Sequence, residues 1–309
     1  MEWTALLNPN AGGRRFAAIR DALAARRDVE CCESHSAAEA LDYARAAVAA
    51  GRSLIACGGD GTFGIAATAA TNTSAVVTVI PNGTGNDMAR ALGTRSREGA
   101  PALALLDRGW VASIDMGRIV DATGAESLFP SVVSIGLDAA ANARAESTRW
   151  LHGSLRYPVS ALSALRSFRP FTVELVLDDG TPELRRAWMV AVANTPNYAG
   201  GMKIAPNAHM NDGLFDIVTV GPIARLDLVR NLPKVYRGNH THHPAVTMRR
   251  AREVRITAFG ATPLSCRASG EEIGPLPISV TCLASALKVV VPPQHPLATT
   301  PLHQYESHA

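Results

Sequence analysis

Residues 53–64 read SLIACGGDGTFG. An apolar run, Leu54-Ile55-Ala56-Cys57, stops at Gly58-Gly59-Asp60-Gly61, and an alanine-rich stretch follows. A short apolar run closed by turn residues predicts a buried strand over Ser53–Cys57, and the alanines predict a helix near Thr62–Ala70. Glycine allows a tight turn and lets another group approach the main chain. A helix start adds N–H donors without intrahelical partners and the positive end of the helix dipole. A strand, glycine loop and helix in this order suit an anion, and phosphate fits best.

The same alternation extends to either side. Strands are expected near Thr4–Leu7, Val29–Cys32 and Val76–Ile80, and helices near Arg14–Ala25, Ala37–Ala50 and Asn86–Leu92. Strand–helix alternation implies a parallel sheet covered on both faces. After Asp115 the texture changes to short strands between turns: FPSVVSIG, FTVELVLDDG, RRAWMVAVANT, GLFDIVTVG, EVRITAFG, PISVTCL and LKVVVPP. That pattern predicts an antiparallel sheet or sandwich, with helices only near Leu155–Ser167 and Ala224–Val235. The expected fold class is therefore α/β, a Rossmann-like lobe with a parallel sheet followed by a β-rich antiparallel lobe. The Pro- and His-rich tail from Pro292 is expected to be partly disordered.

With 309 residues the chain exceeds one typical domain of about 100–200 residues. A net charge of +3, with scattered basic residues, is too mild for a nucleic-acid footprint and leaves an anionic substrate or membrane surface open. Five cysteines form no CxxC pair, which suggests a reducing, cytoplasmic setting. The first residues lack the basic and apolar regions of a signal peptide, and no apolar run approaches the ~18 residues of a spanning helix.

Three loops, NPNAGG (8–13), GGDGT (58–62) and PNGTGND (81–87), fall at the C-terminal ends of predicted parallel strands, where open α/β sheets bind ligands. Their glycines, hydroxyls, amides and carboxylates suit a nucleotide with Mg²⁺. Gly59, Gly61 and Gly64 satisfy G-x-G-x-x-G, but that fingerprint belongs on the first strand–helix turn, with an acid ending the next strand; neither condition holds. There is no G-x-x-x-x-G-K-[ST] and no G-x-S-x-G. His240, His242 and His243 lack a cysteine partner and the i, i+4 spacing of a zinc helix.

These loops in order, followed by SIDMGRI, NYAGGMKIAPNAHMNDGLFDI, RGNHTHHP and SGEEIGPLP, resemble the diacylglycerol kinase catalytic-domain family, which includes bacterial lipid kinases and sphingosine kinases. The resemblance runs from about Asn8 to Val291 and implies a phosphofructokinase-type nucleotide lobe over 1–118, to which 288–309 returns, and a β-rich acceptor-binding lobe over 119–287. It implies an ATP- and Mg²⁺-dependent kinase acting on a hydroxyl, most naturally of a lipid such as diacylglycerol. Gly58, Gly59, Asp60, Gly61 and Thr62 would hold ATP phosphates, supported by Asn8 and Thr84, and Asp60 and Asp115 would organise Mg²⁺. A structural metal would sit on the Asp212 carboxylate and the carbonyls of His209 and Leu214, although Asn211-Asp212-Gly213 also reads as a plain turn.

The family places a proton-accepting Asp where this chain has Ser269, and a neutral serine does not hold a proton at pH 7. Glu271 or Glu272 could take its place; one residue along a strand changes the face, so only Glu271 shares Ser269's face and is the substitute. Two alternatives stand beside the lipid reading: a kinase for a soluble or specialised-metabolite alcohol, and a nucleotide-binding relative without catalysis. Peripheral membrane contact and a homodimer are both left open, and no nucleic-acid partner is expected.

Overall fold

The computed structural model describes residues 1–9, 14–83, 85–94, 99–141, 163–166, 168–260, 264–268 and 271–305. The chain divides into two compact units, Met1–Met116 with Ala284–Ala309, and Gly117–Leu283.

The first unit opens with β1 (Trp3–Leu7), α1 (Arg14–Ala24), β2 (Val29–Glu33), α2 (Ala37–Ala49), β3 (Ser53–Gly58), α3 (Asp60–Ala70), β4 (Val76–Pro81), α4 (Asp87–Ala91), α5 (Gly99–Arg108) and the first half of β5 (Trp110–Val120). The strands pair in parallel in the order β2-β1-β3-β4. Every residue of β1, β3 and β4 is buried, as strands covered on both faces require, while β2 is partly exposed at the edge. Helix α2 starts on a Ser36 cap whose hydroxyl accepts from Glu39 N–H, and Ala40, Ala44 and Ala47 form its buried stripe.

Two details differ from the sequence reading. Helix α3 begins at Asp60 rather than Thr62, so Gly61 is helical and only Gly58 and Gly59 lie before the helix. Helix α5 was not anticipated; its Ala102 and Leu106 join the apolar core with Trp3, Leu7 and Ile55.

The second unit contains β6 (Glu126–Phe129), β7 (Val132–Gly136), β8 (Phe171–Leu177), β9 (Glu183–Ala187), β10 (Met189–Ala193), β11 (Phe215–Val220), helix α6 (Arg225–Val235), β12 (Val246–Ala251), β13 (Glu253–Phe259), β14 (Ser265–Ala268), β15 (Glu271–Pro275) and the start of β16 (Ile278–Val291). One antiparallel sheet runs β12-β11-β10-β7-β14-β15, and a second group runs β16-β13-β8-β9. Alternate residues of both, such as Val190 and Val192, Phe215 and Ile217, Val173 and Leu175, and Val254 and Ile256, interdigitate in one core. The opposite face of β10 carries Ala191 and Ala193 against Ile204, Ala205 and Ala208, which explains why this strand is apolar at nearly every position.

RRAWMVAVANT is two strands. The chain changes sheets at buried Trp188, whose indole N–H donates to the Ile223 carbonyl at 3.1 Å, so β9 pairs with β8 and β10 pairs with β7 and β11. PISVTCL and LKVVVPP, by contrast, are one fourteen-residue strand, β16. It pairs antiparallel with β13 through Ile278–Thr281 and parallel with β4 at Lys288 and Val289. The helix expected over Leu155–Ser167 lies largely outside the described residues; within it, residues 163–166 are helical.

As far as Tyr305, the last described residue, the tail is ordered where disorder was expected. Thr300 and Pro301 form β17 against Val111 and Trp110, and helix α7 (Leu302–Tyr305) buries Leu302 in the first unit's core. His295 Nε2 lies 3.0 Å from the Ala91 carbonyl and Thr299 Oγ1 donates to Val111 O at 2.7 Å, so specific contacts outweigh the tail's composition.

Candidate functional site

In the first unit the parallel register brings the ends of β1, β3 and β4 side by side. Asn8 N–H donates to Cys57 O at 3.4 Å and Asn82 N–H to Gly58 O at 2.9 Å, which ties the three loops to one sheet edge. A Cβ placed on Gly83 would lie 2.5 Å from Gly59 Cα and 3.0 Å from its nitrogen, so neither loop can hold its position with a side chain there. A Cβ on Gly58 would meet the Thr62 hydroxyl at 2.2 Å. Gly83 is therefore required by contact between the loops and Gly58 by the Thr62 side chain, whatever ligand they also admit. Gly64 is different: a Cβ there meets nothing within 4 Å, so the third glycine of the G-x-G-x-x-G coincidence meets no steric demand.

Asp60 joins the two loops through its side chain. Its Oδ1 accepts from Met88 N–H at 2.8 Å and so supplies the start of α4 with an acceptor from another element. Asn86 stands before that helix with φ 54°, its side chain accepting from Gly83 N–H and donating to Gly83 O. Asp60 remains partly exposed, and α3 follows Gly59 without a side-chain cap, so its first-turn N–H groups border the same carboxylate. Asn8 and Gly59 are partly exposed here and Thr62 is buried; Thr84 and residues 10–13 lie outside the described residues.

Asp115, the second acid expected to organise Mg²⁺, also belongs to the first unit. It sits in the middle of β5 with no exposed surface, and its Oδ1 accepts from Ser285 N–H at 2.7 Å. Ser285 has φ 54°, an uncommon conformation for a residue with a side chain, and the buried carboxylate fastens it.

In the second unit Asp212 makes an Asx turn, accepting from Leu214 N–H at 3.1 Å, and pairs with the Arg250 guanidinium on β12. Asp216, opposite Arg250 in the β11–β12 register, is buried; desolvation pushes its carboxyl above the usual carboxylate range, against the pull of Arg250. His240 is buried with Nε2 3.1 Å from Ile204 O, and burial pulls its pKa down, so the ring is neutral and donates there. His242 and His243 contact their own backbone at Asn239 O and Ala245 N–H. Among the described residues no three His, Cys, Asp or Glu side chains group to hold a metal.

Ser269 lies outside the described residues. Ala268, the last residue of β14, pairs antiparallel with Glu271, the first of β15. The same-face argument took one strand through Glu271, whereas Glu271 starts a strand of its own. Glu271 is exposed; Glu272 lies 3.6 Å from Arg267, whose own side chain is buried.

One carboxylate escaped the sequence reading. Asp138, two residues after β7, is buried; its Oδ1 accepts from the Tyr198 hydroxyl at 3.0 Å, and it also interacts with Ser134 and Arg267. Burial pushes its carboxyl up to about 6, the hydrogen bonds and Arg267 opposing the shift. A signal existed: like Asp60, Asp138 follows a fully buried strand and glycine and opens an alanine-rich helical turn.

Residues 2–119 match the diacylglycerol kinase catalytic domain, and residues 131–291 match the YegS C-terminal NAD kinase beta sandwich-like domain. The chain is 36% identical over 296 residues to a diacylglycerol kinase of Mycobacterium tuberculosis (strain ATCC 25618 / H37Rv), covering 94% of each protein. It is 26% identical over 246 residues to a diacylglycerol kinase of Bacillus subtilis (strain 168), covering 77% of each. Crystal structures from Bacillus anthracis str. Sterne share the fold. One superposes with TM-score 0.75 at 20% identity over 94% of this chain and 95% of that one. Another, of a diacylglycerol kinase, superposes with TM-score 0.70 at 18% identity over 94% and 97%. The two matched domains follow one another in the chain, and a relative of the same name aligns across nearly its whole length: the chain belongs to the diacylglycerol kinase family and is a kinase.

Proposed function

We propose that the chain is an ATP- and Mg²⁺-dependent kinase that phosphorylates the hydroxyl of a lipid such as diacylglycerol. In this reading residues 1–118 and 288–309 take the nucleotide and residues 119–287 take the acceptor. The observation that carries it is the Asp60 carboxylate, held by Met88 N–H between two glycine loops that pack backbone to backbone. The names of the relatives support the lipid acceptor.

Phosphoryl transfer depends mainly on positioning and charge neutralisation. The N–H groups at the start of α3 suit phosphate oxygens, and Gly58, Gly59 and Gly61 leave them uncovered. Mg²⁺ beside phosphate takes one or two carboxylates and keeps several waters, and when bound it neutralises the developing phosphate charge. Asp60, partly exposed, fits such a ligand. Asp115, fully buried on Ser285 N–H, fits a positioning role and not direct ligation.

The acceptor oxygen forms a bond to the γ-phosphorus as the bond to the bridging oxygen breaks, and the acceptor proton must pass to a base. Ser269 cannot take it. Asp138, with its carboxyl raised to about 6, is suited to proton transfer near neutral pH and is the proposed base of the acceptor side. Radiolabelled ATP with Mg²⁺ and a panel of acceptors tests the reading: label is expected in diacylglycerol presented in micelles. Label only in water-soluble alcohols would replace the lipid assignment, and no transfer to any acceptor would overturn the catalytic one.

A further inference from the structure

We infer that the outward face of helix α6 is a docking surface for an anionic lipid bilayer. No residue of this eleven-residue helix is fully buried. Its inner side rests on the sandwich through half-buried Leu228, which packs near Leu165, Trp188 and Val220. Both ends are fastened. Arg225 donates to Phe168 O at 3.1 Å with its guanidinium 6.0 Å over the Trp188 ring, and Lys203 N–H donates to Val235 O at 3.0 Å. The outer side is therefore held in a fixed orientation.

That outer side is apolar where solvent would favour polar residues. Leu226 is 57% exposed, Val229 37% and Tyr236 38%, with Pro233 exposed between them. At about 100° per residue these four fall within an arc of about 80°. Arg230, Lys234 and Arg237, all exposed, continue around one flank, and the helix's single acid, Asp227, lies 3.9 Å from Arg230. An exposed apolar stripe bordered by cations is the pattern of a helix lying in a membrane interface, with apolar side chains among acyl chains and basic ones among anionic headgroups. At the same end a cavity of about 440 Å³ is lined by Leu232, Pro233, Lys234, Tyr236, Arg237 and Asn239. Its walls are mainly apolar, which suits the first methylenes of a lipid, with Lys234 and Arg237 among the lining residues to favour an anionic headgroup. Among the described residues no helix is long and apolar enough to cross a membrane, so contact through this helix would be peripheral.

The proposal extends the lipid-kinase reading, but vesicle binding is measured without nucleotide, so the two fail separately. Full-length protein is sedimented with vesicles of phosphatidylcholine alone or with about one third phosphatidylglycerol. Binding is expected only to the anionic vesicles and is expected to weaken as salt rises. Leu226→Gln with Val229→Gln should weaken it at least about 10-fold. Arg230→Gln with Lys234→Gln should weaken it by roughly 5-fold per charge removed. Both variants should keep the parent's unfolding temperature and its transfer to a monomeric short-chain acceptor. Absence of parental binding, or binding unchanged in both variants, overturns the proposal. So does a parental dimer that Leu226→Gln with Val229→Gln converts to monomer without any vesicle binding, since the face would then serve a second copy of the chain.

Discussion

The two units place polar groups under opposite constraints. In the first, the important contacts are made to the backbone: Gly59 against Gly83, and the Asp60 carboxylate on an N–H at the start of α4. In the second they are side chain to side chain across strands distant in sequence: Asp138 with Tyr198 and Arg267, and Asp212 with Arg250. The first arrangement tolerates almost no added atom but is written locally in the sequence. The second tolerates relatives of its residues but cannot be read until the sheets are assembled.

The largest expected effect follows from the first arrangement. Asp60→Asn keeps an oxygen for Met88 N–H and so should fold with an unchanged melting temperature, yet lower kcat by about 10³-fold through the loss of charge. Undiminished turnover would move the chemistry away from this loop. Gly83→Ala should cost about 10²-fold in kcat/KM and lower the melting temperature, because its Cβ would stand 2.5 Å from Gly59 Cα and the loops must part. Gly64→Ala is its control, expected to be neutral or to stabilise by up to about 1 kcal/mol as a helix substitution. If both alanines behave alike, the loop contact does not distinguish these glycines.

The second arrangement predicts effects set by charge and pH. Asp138→Asn should lower kcat by about 10²-fold and abolish the acid limb that the parent shows near pH 6. Stability supplies an independent reading. Because the folded-state carboxyl is raised, its contribution is fully present below the ordinary carboxyl value of 3.8 and is lost as pH rises through about 6. Denaturant titrations across that window should therefore slope less in Asp138→Asn than in the parent, and equal slopes would place Asp138 outside the titration. Asp212→Ala should have the smallest effect, below about 1 kcal/mol, since its partner Arg250 is well exposed. A chelator that lowers the parent's melting temperature but not the variant's would show a metal competing with Arg250 for that carboxylate.

The parallel half of the fold was legible because each strand–helix step is decided within about thirty residues. Burial of whole strands, alanine stripes and glycine ends all gave the same answer. Helix α5 was missed because its apolar residues run together as ALALL without a clean turn period, and it gains definition only against β4 and the core around Trp3. The tail was misread because composition does not reveal that Val111 offers a free strand edge. At the site, Asp60 stood out among glycines. Asp138 did not, since its burial depends on Tyr198, sixty residues away. The face argument for Glu271 took one continuous strand, whereas β14 ends at Ala268 and Glu271 opens its antiparallel partner β15, a pairing that the local sequence does not announce.

The return of β16 to the first unit has a consequence for folding. The second unit is one contiguous segment, Gly117–Leu283, whereas the first needs Ala284 onward to supply the strand beside β4 and the β17 cover on β5. The later-encoded unit can therefore close on its own, while the earlier-encoded one waits with an unpaired β4 edge until the last residues join it. A released chain truncated before Ala284 should accordingly resist protease over the second unit while being cut in the first.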